Sequence, residues 1–136
     1  MSNSEKWAWW MLGVVVVTIS AYAAFLAFLG HVPAIDSVFA LLALTAVPAF
    51  SRRHSQGPTF DERDHEIALK ALRVGFSAFW LAFITLFLAI GFIKGWDNTL
   101  TVPVWTLGEA VWWAGVLVLG VRATTTIALY RGGSHA

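Results

Sequence analysis

Seven of the 17 charged residues in this chain lie in residues 60–73, which read FDERDHEIALKALR and are called the charged stretch below. The charged stretch divides an otherwise apolar sequence into two halves and runs directly into the third of four apolar segments. Over the whole chain 58% of residues are hydrophobic and 12% are charged, whereas a soluble domain averages about 25% charged residues. A water-soluble domain of this length has too little interior to bury so much apolar surface. The composition therefore indicates a membrane protein.

The four apolar segments have the lengths of membrane-spanning helices. They cover about 7–29, 33–50, 60–93 and 102–121, and the last has the alternative of running on to residue 130. A bilayer core of about 30 Å needs roughly 20 helical residues, and lipid offers no hydrogen-bond partners to an open strand. We therefore predict a single all-α domain, an integral membrane four-helix bundle of two helical hairpins. The first segment is longer than a signal-peptide core of about 7–15 residues, so we expect it to be retained.

The charged stretch is predicted to be the beginning of the third helix. Thr59 and Glu62 have the spacing of a capping box, and Glu66 can pair with Lys70 one turn later. No helix-breaking residue follows until the end of the third apolar segment. A continuous helix over 60–93 is on the order of 50 Å long, which is longer than the bilayer core. Its first three turns are therefore expected to extend into the cytoplasm.

The distribution of Lys and Arg predicts the orientation of the chain. Of the nine Lys and Arg residues, all but Lys94 fall on the side that holds both termini and the 51–73 connection. Because positive residues collect on the cytoplasmic side of a membrane, we expect a multi-pass protein of the cytoplasmic (inner) membrane. Both termini are then cytoplasmic.

Small residues recur at helical spacing on the first and third helices, and they predict close helix packing. On the first helix the set is Gly13, Val17, Ser20, Ala24 and Ala27. On the third helix the set is Ala71, Gly75, Ala78, Ala82, Thr85 and Ala89. Five aromatic residues lie on the other side of the third helix, and we expect them to face lipid or a neighbouring subunit rather than a ligand pocket.

One candidate site lies near the predicted outer interface. Glu109 is an ionisable residue at membrane depth, which raises a functional hypothesis by default. His31 and Asp36 are expected near the same level, and the three side chains could bind a cation or relay a proton. Local hydrogen bonding of Glu109 and helix capping by Asp36 explain the same residues more simply. No metal site and no cofactor are predicted, because the spacing does not match a ligand motif and the chain has no cysteine.

The second candidate site is the charged stretch itself. Its polar members are predicted to form a surface for a protein partner or a second copy of the chain: Asp61, Glu62, Arg63, Asp64, Glu66 and Lys70. Paired carboxylates can perform acid–base catalysis, but a well-capped, exposed helix start accounts for these residues without it. We assign no catalytic residue. The remaining arginines fit attraction to lipid headgroups, and nothing predicts nucleic-acid binding.

The motif FDERD at residues 60–64, followed by Glu66, Ile67 and Ala71, resembles a signature of small uncharacterised prokaryotic membrane proteins. These proteins carry a DERD/E-type cytoplasmic motif between two helical hairpins and are grouped as a domain of unknown function. The resemblance implies a multi-pass membrane protein, sometimes regarded as an accessory to a regulator. It implies no catalytic residues.

The sequence favours a non-enzymatic accessory or regulatory membrane protein that contacts a cytosolic or membrane protein, or itself as a homo-oligomer, through the charged stretch. An alternative is a small oligomeric transporter or channel in which Glu109 and Asp36 bind a proton or cation. A second alternative is a small lipid-handling membrane enzyme, which requires a cavity for a headgroup beside the charged stretch.

Overall fold

The computed structural model describes residues 3–30, 38–47, 62–96 and 99–132. Of these residues 92% are helical, and none of them is in a strand. The elements in chain order are α1 (Asn3–Leu29), a 3₁₀ helix (Ala40–Ala46), α2 (Glu62–Lys94) and α3 (Val104–Gly132). The all-helical class predicted from the sequence is therefore confirmed.

Three of the four helices are long and apolar enough to cross a membrane. They contain 27, 33 and 29 residues for α1, α2 and α3, or about 40 to 50 Å each at 1.5 Å per residue. The helix α2 runs without a break from the charged stretch into the third apolar segment. The helix α3 continues to Gly132, close to the longer of its two predicted ends.

The second apolar segment differs from the regular α-helix predicted over 33–50. Its described part, residues 38–47, contains the 3₁₀ helix, and the rest of the predicted helix lies outside the described residues. Bonds to the third preceding residue dominate: Val47 N–H donates to the Leu44 carbonyl, and Thr45 Oγ1 donates to the Leu42 carbonyl at 2.6 Å. Seven residues at about 2.0 Å each span roughly 14 Å, which is half of a bilayer core.

Packing explains the 3₁₀ geometry. In a helix with three residues per turn, side chains three positions apart lie in one row, and here that row contains Phe39, Leu42 and Thr45. Phe39 and Leu42 are both buried against α1 and α3. The 3₁₀ segment runs antiparallel to α1. Phe39, at its beginning, contacts Tyr22 late in α1, with ring centroids 5.8 Å apart. Leu44, near its end, accepts a hydrogen bond from Trp10, which is earlier in α1.

The helix α3 is central and packs against both α1 and α2. Between α1, the 3₁₀ helix and α3, the buried core consists of Val15, Phe39, Leu42 and Val116. The Phe39 ring is fully buried and stacks on Trp112, with ring centroids 5.7 Å apart and planes 1° from parallel. This aromatic contact joins the beginning of the 3₁₀ segment to the first half of α3.

The helices α2 and α3 approach most closely at Gly75. A Cβ atom at this position would lie 3.1 Å from the Val118 carbonyl oxygen and 3.6 Å from the Arg122 Cβ. Because the added Cβ would be closer to this oxygen than ordinary van der Waals contact, glycine at this position favours the close approach of the two helices. Towards the beginning of α2 and the end of α3, buried side chains on both helices complete the contact: Ile67, Ala71, Ala123 and Ile127.

The predicted small-residue face of α2 is buried over only part of its length. Ala71 and Gly75 are buried, but Ala82, Thr85 and Ala89 are exposed in the single chain. All five small residues of the predicted face of α1 are exposed as well. The face of α1 that packs is instead formed by larger or neighbouring residues: Ala8, Val14, Val15 and Thr18.

At the far end of α2, Trp96 turns back over the helix. Its ring covers Gly91, where an added Cβ would lie 2.6 Å from the indole atoms. The reversal occurs at Gly95, which has a φ of 84° and whose N–H donates to the Gly91 carbonyl at 2.9 Å. A left-handed glycine after the last helical residue is a common way to end a helix.

Candidate functional site

The beginning of α1, the beginning of α2 and the end of α3 meet at one end of the molecule. Ser4 Oγ donates a hydrogen bond to Asp64 Oδ2 at 3.2 Å, and the Tyr130 hydroxyl donates to Asp64 Oδ1. Nearby, the guanidinium of Arg131 lies 5.2 Å from the centre of the Trp9 ring, a cation–π distance. One carboxylate of the charged stretch therefore joins all three long helices.

A cavity of about 390 Å³ opens between these three helices and the end of the 3₁₀ helix. We call it the Asp64–Arg122 pocket. Half of its lining side chains are polar: Ser4, Thr45, Asp64, Arg122, Thr126 and Tyr130. The others are apolar or aromatic and include Trp7, Met11 and Ile67. A concave site of this volume with a few convergent polar groups has the general form of a ligand site.

The hydroxyl groups of the pocket already use their protons within the protein. Ser4 and Tyr130 donate to Asp64, Thr45 donates to the Leu42 carbonyl, and Thr126 donates to the Arg122 carbonyl at 2.8 Å. The Asp64 carboxylate is therefore held by two donors.

Arg122 has no such partner. Its side chain is half-buried, lines the pocket, and forms no hydrogen bond or ion pair with Asp64 or any other residue that the structure describes. The two arginines of α2, Arg63 and Arg73, are exposed instead. Among the described residues that line the pocket, Arg122 is the one cationic side chain.

The predicted partner surface divides into an inward and an outward part. Asp64 points inward and is half-buried, whereas Glu62, Arg63, Glu66 and Lys70 are exposed. Asp61, the remaining member, lies outside the described residues.

Glu66 and Lys70 form an ion pair of 2.9 Å across one turn of α2. Both groups belong to the polar beginning of the helix, before its apolar span. The hydrogen bond from the Lys70 ammonium, together with its positive charge, lowers the pKa of the Glu66 carboxyl below its usual value. The Glu66 carboxyl is thus ionised at neutral pH.

The predicted outer site is described only at Glu109. This side chain is half-buried on α3 and forms no hydrogen bond or ion pair with the described residues. His31 and Asp36 lie outside the described residues, so their expected proximity to Glu109 stays a prediction. Within the described ranges no three His, Cys, Asp or Glu side chains group as metal ligands.

The sequence analysis named a cavity beside the charged stretch only as a requirement of the lipid-handling alternative and did not predict which residues line the pocket, although one signal for it is present. Arg122, Thr126 and Tyr130 are spaced four residues apart and so share one face of α3. A polar row of this kind at the end of an apolar helix predicts a polar cavity or interface. What the spacing does not reveal is that Asp64 and Ser4 face the same row.

Comparisons with protein-family models, with curated proteins and with solved structures find no match to this chain. The resemblance of the FDERD motif to the four-helix membrane family therefore stays a prediction.

Proposed function

We propose that this chain is an integral protein of the cytoplasmic membrane, a four-helix bundle of two hairpins with α2 extending into the cytoplasm. The exposure of α2 supports this placement, because every residue from Trp80 to Ile90 is exposed and most of them are large and apolar. Soluble monomers rarely expose apolar patches of more than a few hundred Å². The placement of all Lys and Arg except Lys94 on the side that holds both termini supports a cytoplasmic position for that side.

We further propose that its function is that of a non-enzymatic accessory protein, which uses the beginning of α2 to contact a protein partner. The observation that carries this proposal is the anchoring of Asp64 to Ser4 and Tyr130. Together with the burial of Ile67 and Ala71, it fixes one face of the helix against α1 and α3. The opposite face is then held rigid and open to the cytoplasm.

The outward face combines charges of both signs with exposed leucine. Leu69, which is 40% exposed, follows Glu66 by three residues and precedes Lys70, and Arg63 is exposed two turns earlier on the same helix start. A rigid, amphipathic helix face loses little conformational entropy on binding. It suits another amphipathic helix whose charges complement those around the leucine.

In-cell photo-crosslinking tests this proposal. A benzophenone amino acid at Leu69 is expected to give one discrete protein adduct in intact cells, whereas the same probe at Leu81, which is exposed on the apolar part of α2, gives none of that mass. An adduct of twice the chain mass identifies a second copy, and a different mass identifies another protein. Reversing the charges with Arg63→Glu and Glu66→Lys should remove the adduct. If Leu69 gives only the products seen at Leu81, the contact-surface proposal fails.

A second candidate function is proton or cation transport through Glu109. The observation in its favour is a half-buried carboxyl on an apolar helix with no hydrogen-bond or ion-pair partner in the described part of the chain. In that case Glu109→Gln abolishes ion flux into vesicles that contain the purified protein, and the helical content is unchanged. Equal flux for the two proteins, or no flux above empty vesicles, contradicts this candidate.

A further inference from the structure

Arg122 in the Asp64–Arg122 pocket is a cation without a counter-charge. A guanidinium has five N–H donors in a planar fork, and those of Arg122 meet no acceptor among the residues that the structure describes. A half-buried charge is costly unless it is paired or solvated. Arg122 is therefore available to bind an acidic group in the pocket.

Asp64 does not neutralise Arg122, although both line the cavity. The Asp64 oxygens are occupied by the hydroxyls of Ser4 and Tyr130, and the carboxylate forms no ion pair with the guanidinium. The guanidinium of Arg122 is therefore open to pairing with an anionic group that enters the pocket.

The other walls indicate what carries this anion. Trp7, Met11 and Ile67 supply an apolar lining, and the pocket lies where the polar ends of α1, α2 and α3 meet. A ligand with an acidic head and an apolar remainder fits both kinds of wall. Phosphate and carboxylate both match the guanidinium fork with two parallel hydrogen bonds, and phosphate has further oxygens for the remaining N–H donors of the guanidinium.

We propose that the Asp64–Arg122 pocket binds a phosphate group through Arg122, the chemistry shared by a phospholipid headgroup and free phosphate. The apolar walls favour the phospholipid. Only this choice of source rests on the proposed membrane placement; the binding of phosphate by Arg122 does not.

The chain offers a matched control for the charge. Arg73 is exposed and lies two residues before Gly75, which faces the Arg122 Cβ across the α2–α3 contact. The two arginines are therefore at nearly the same level along the molecule, but only Arg122 lines the pocket. General attraction of lipid to positive charge should affect both equally.

Binding is measured on the purified full chain in dodecyl maltoside by native mass spectrometry and by thermal unfolding. Three probes are added separately: dioleoylphosphatidylglycerol, dioleoylglycerol as the analogue without phosphate, and sodium phosphate. We expect wild type to retain one phosphatidylglycerol and to be stabilised by it. Arg122→Gln should weaken this binding about tenfold, the loss expected for a bidentate charge-assisted contact, while Arg73→Gln changes it less than about twofold. Dioleoylglycerol should not bind measurably.

The measurement with sodium phosphate distinguishes a site for a phospholipid headgroup from a site for free phosphate. Stabilisation by phosphatidylglycerol alone identifies a lipid site, and Arg122-dependent stabilisation by sodium phosphate as well identifies a site for free phosphate. Equal binding by the Gln variants of Arg122 and Arg73 overturns the proposal. If Arg122→Gln does not fold, Arg122→Lys replaces it, because it retains the charge but loses the fork and should still weaken binding. The crosslinking test uses the opposite face of α2, so either proposal can fail without the other.

Discussion

The close approach of α2 and α3 makes a specific prediction for cysteine crosslinking. The chain has no native cysteine, so a pair introduced by Gly75→Cys and Arg122→Cys is the only source of thiols. The Cβ positions of these two residues are 3.6 Å apart. Disulfides have Cβ–Cβ distances of about 3.5 to 4.5 Å, so the pair should oxidise once the Val118 carbonyl oxygen has shifted by a few tenths of an ångström.

The magnitude follows from the length of chain that the bond closes. For a loop of roughly 50 residues, the chain-entropy model gives about 4 kcal/mol of stabilisation. This value is an upper bound for the pair, because the new Cβ at position 75 lies only 3.1 Å from the Val118 carbonyl oxygen. The strain of that contact subtracts from the stabilisation. We expect the oxidised protein to unfold at a higher concentration of denaturing detergent than the reduced protein.

The assay is oxidation with copper phenanthroline in isolated membranes, followed by denaturation and labelling with a polyethylene glycol maleimide. Monomeric chains with the Gly75 pair should carry no label after oxidation. The control pair combines Arg122→Cys with Ser77→Cys, since two residues further along α2 turn the side chain by about 200° and Ser77 is exposed. Two labels per chain on the Gly75 pair, or equally rapid loss of labels from the control pair, would show that the helices do not cross at Gly75.

Three further predictions concern the beginning of α2, and each is measured on the purified protein. Ile67→Ala should lower the free energy of unfolding by about 2 to 4 kcal/mol, because a buried side chain leaves a cavity, and a change below about 1 kcal/mol contradicts its burial. Tyr130→Phe should lower it by about 1 kcal/mol through loss of a half-exposed hydrogen bond to Asp64; no change would mean that the bond contributes nothing. In NMR titrations the pKa of Glu66 should lie below its usual value and rise towards it in Lys70→Met. Because this folded-state pKa is depressed, the ion pair's contribution is present above the ordinary pKa and disappears as the pH falls through the lower one; an identical pKa in both proteins excludes the pair.

Sequence reasoning was most successful where a property is local to one segment. The continuous helix from the charged stretch into the third apolar segment appears as α2, because its acids, ion pair and lack of breakers all act within one or two turns. It was less successful for the second apolar segment, part of which is a 3₁₀ helix. That geometry depends on Phe39 packing against α1 and α3, which no local propensity reveals.

The choice of packing faces was the harder problem. The first-helix stripe that includes Gly13 is exposed, and the third-helix stripe is buried at Ala71 and Gly75 but not at Ala82. In a soluble helix a polar face marks the outside. Helices that are apolar on all sides give no such mark, and small residues alone do not say which stripe meets a neighbour.

By itself the sequence determined the helical class, the long apolar spans and the concentration of charge in one helix start, since length and composition are properties of single segments. The tertiary structure alone decided that Asp64 faces inward while its neighbours face outward, and that Arg122 lines a pocket. The physical reason is distance along the chain: Asp64 meets Ser4 across 60 residues and Tyr130 across 66. Contacts of that separation depend on how whole helices cross, and the pattern within each helix does not specify the crossing.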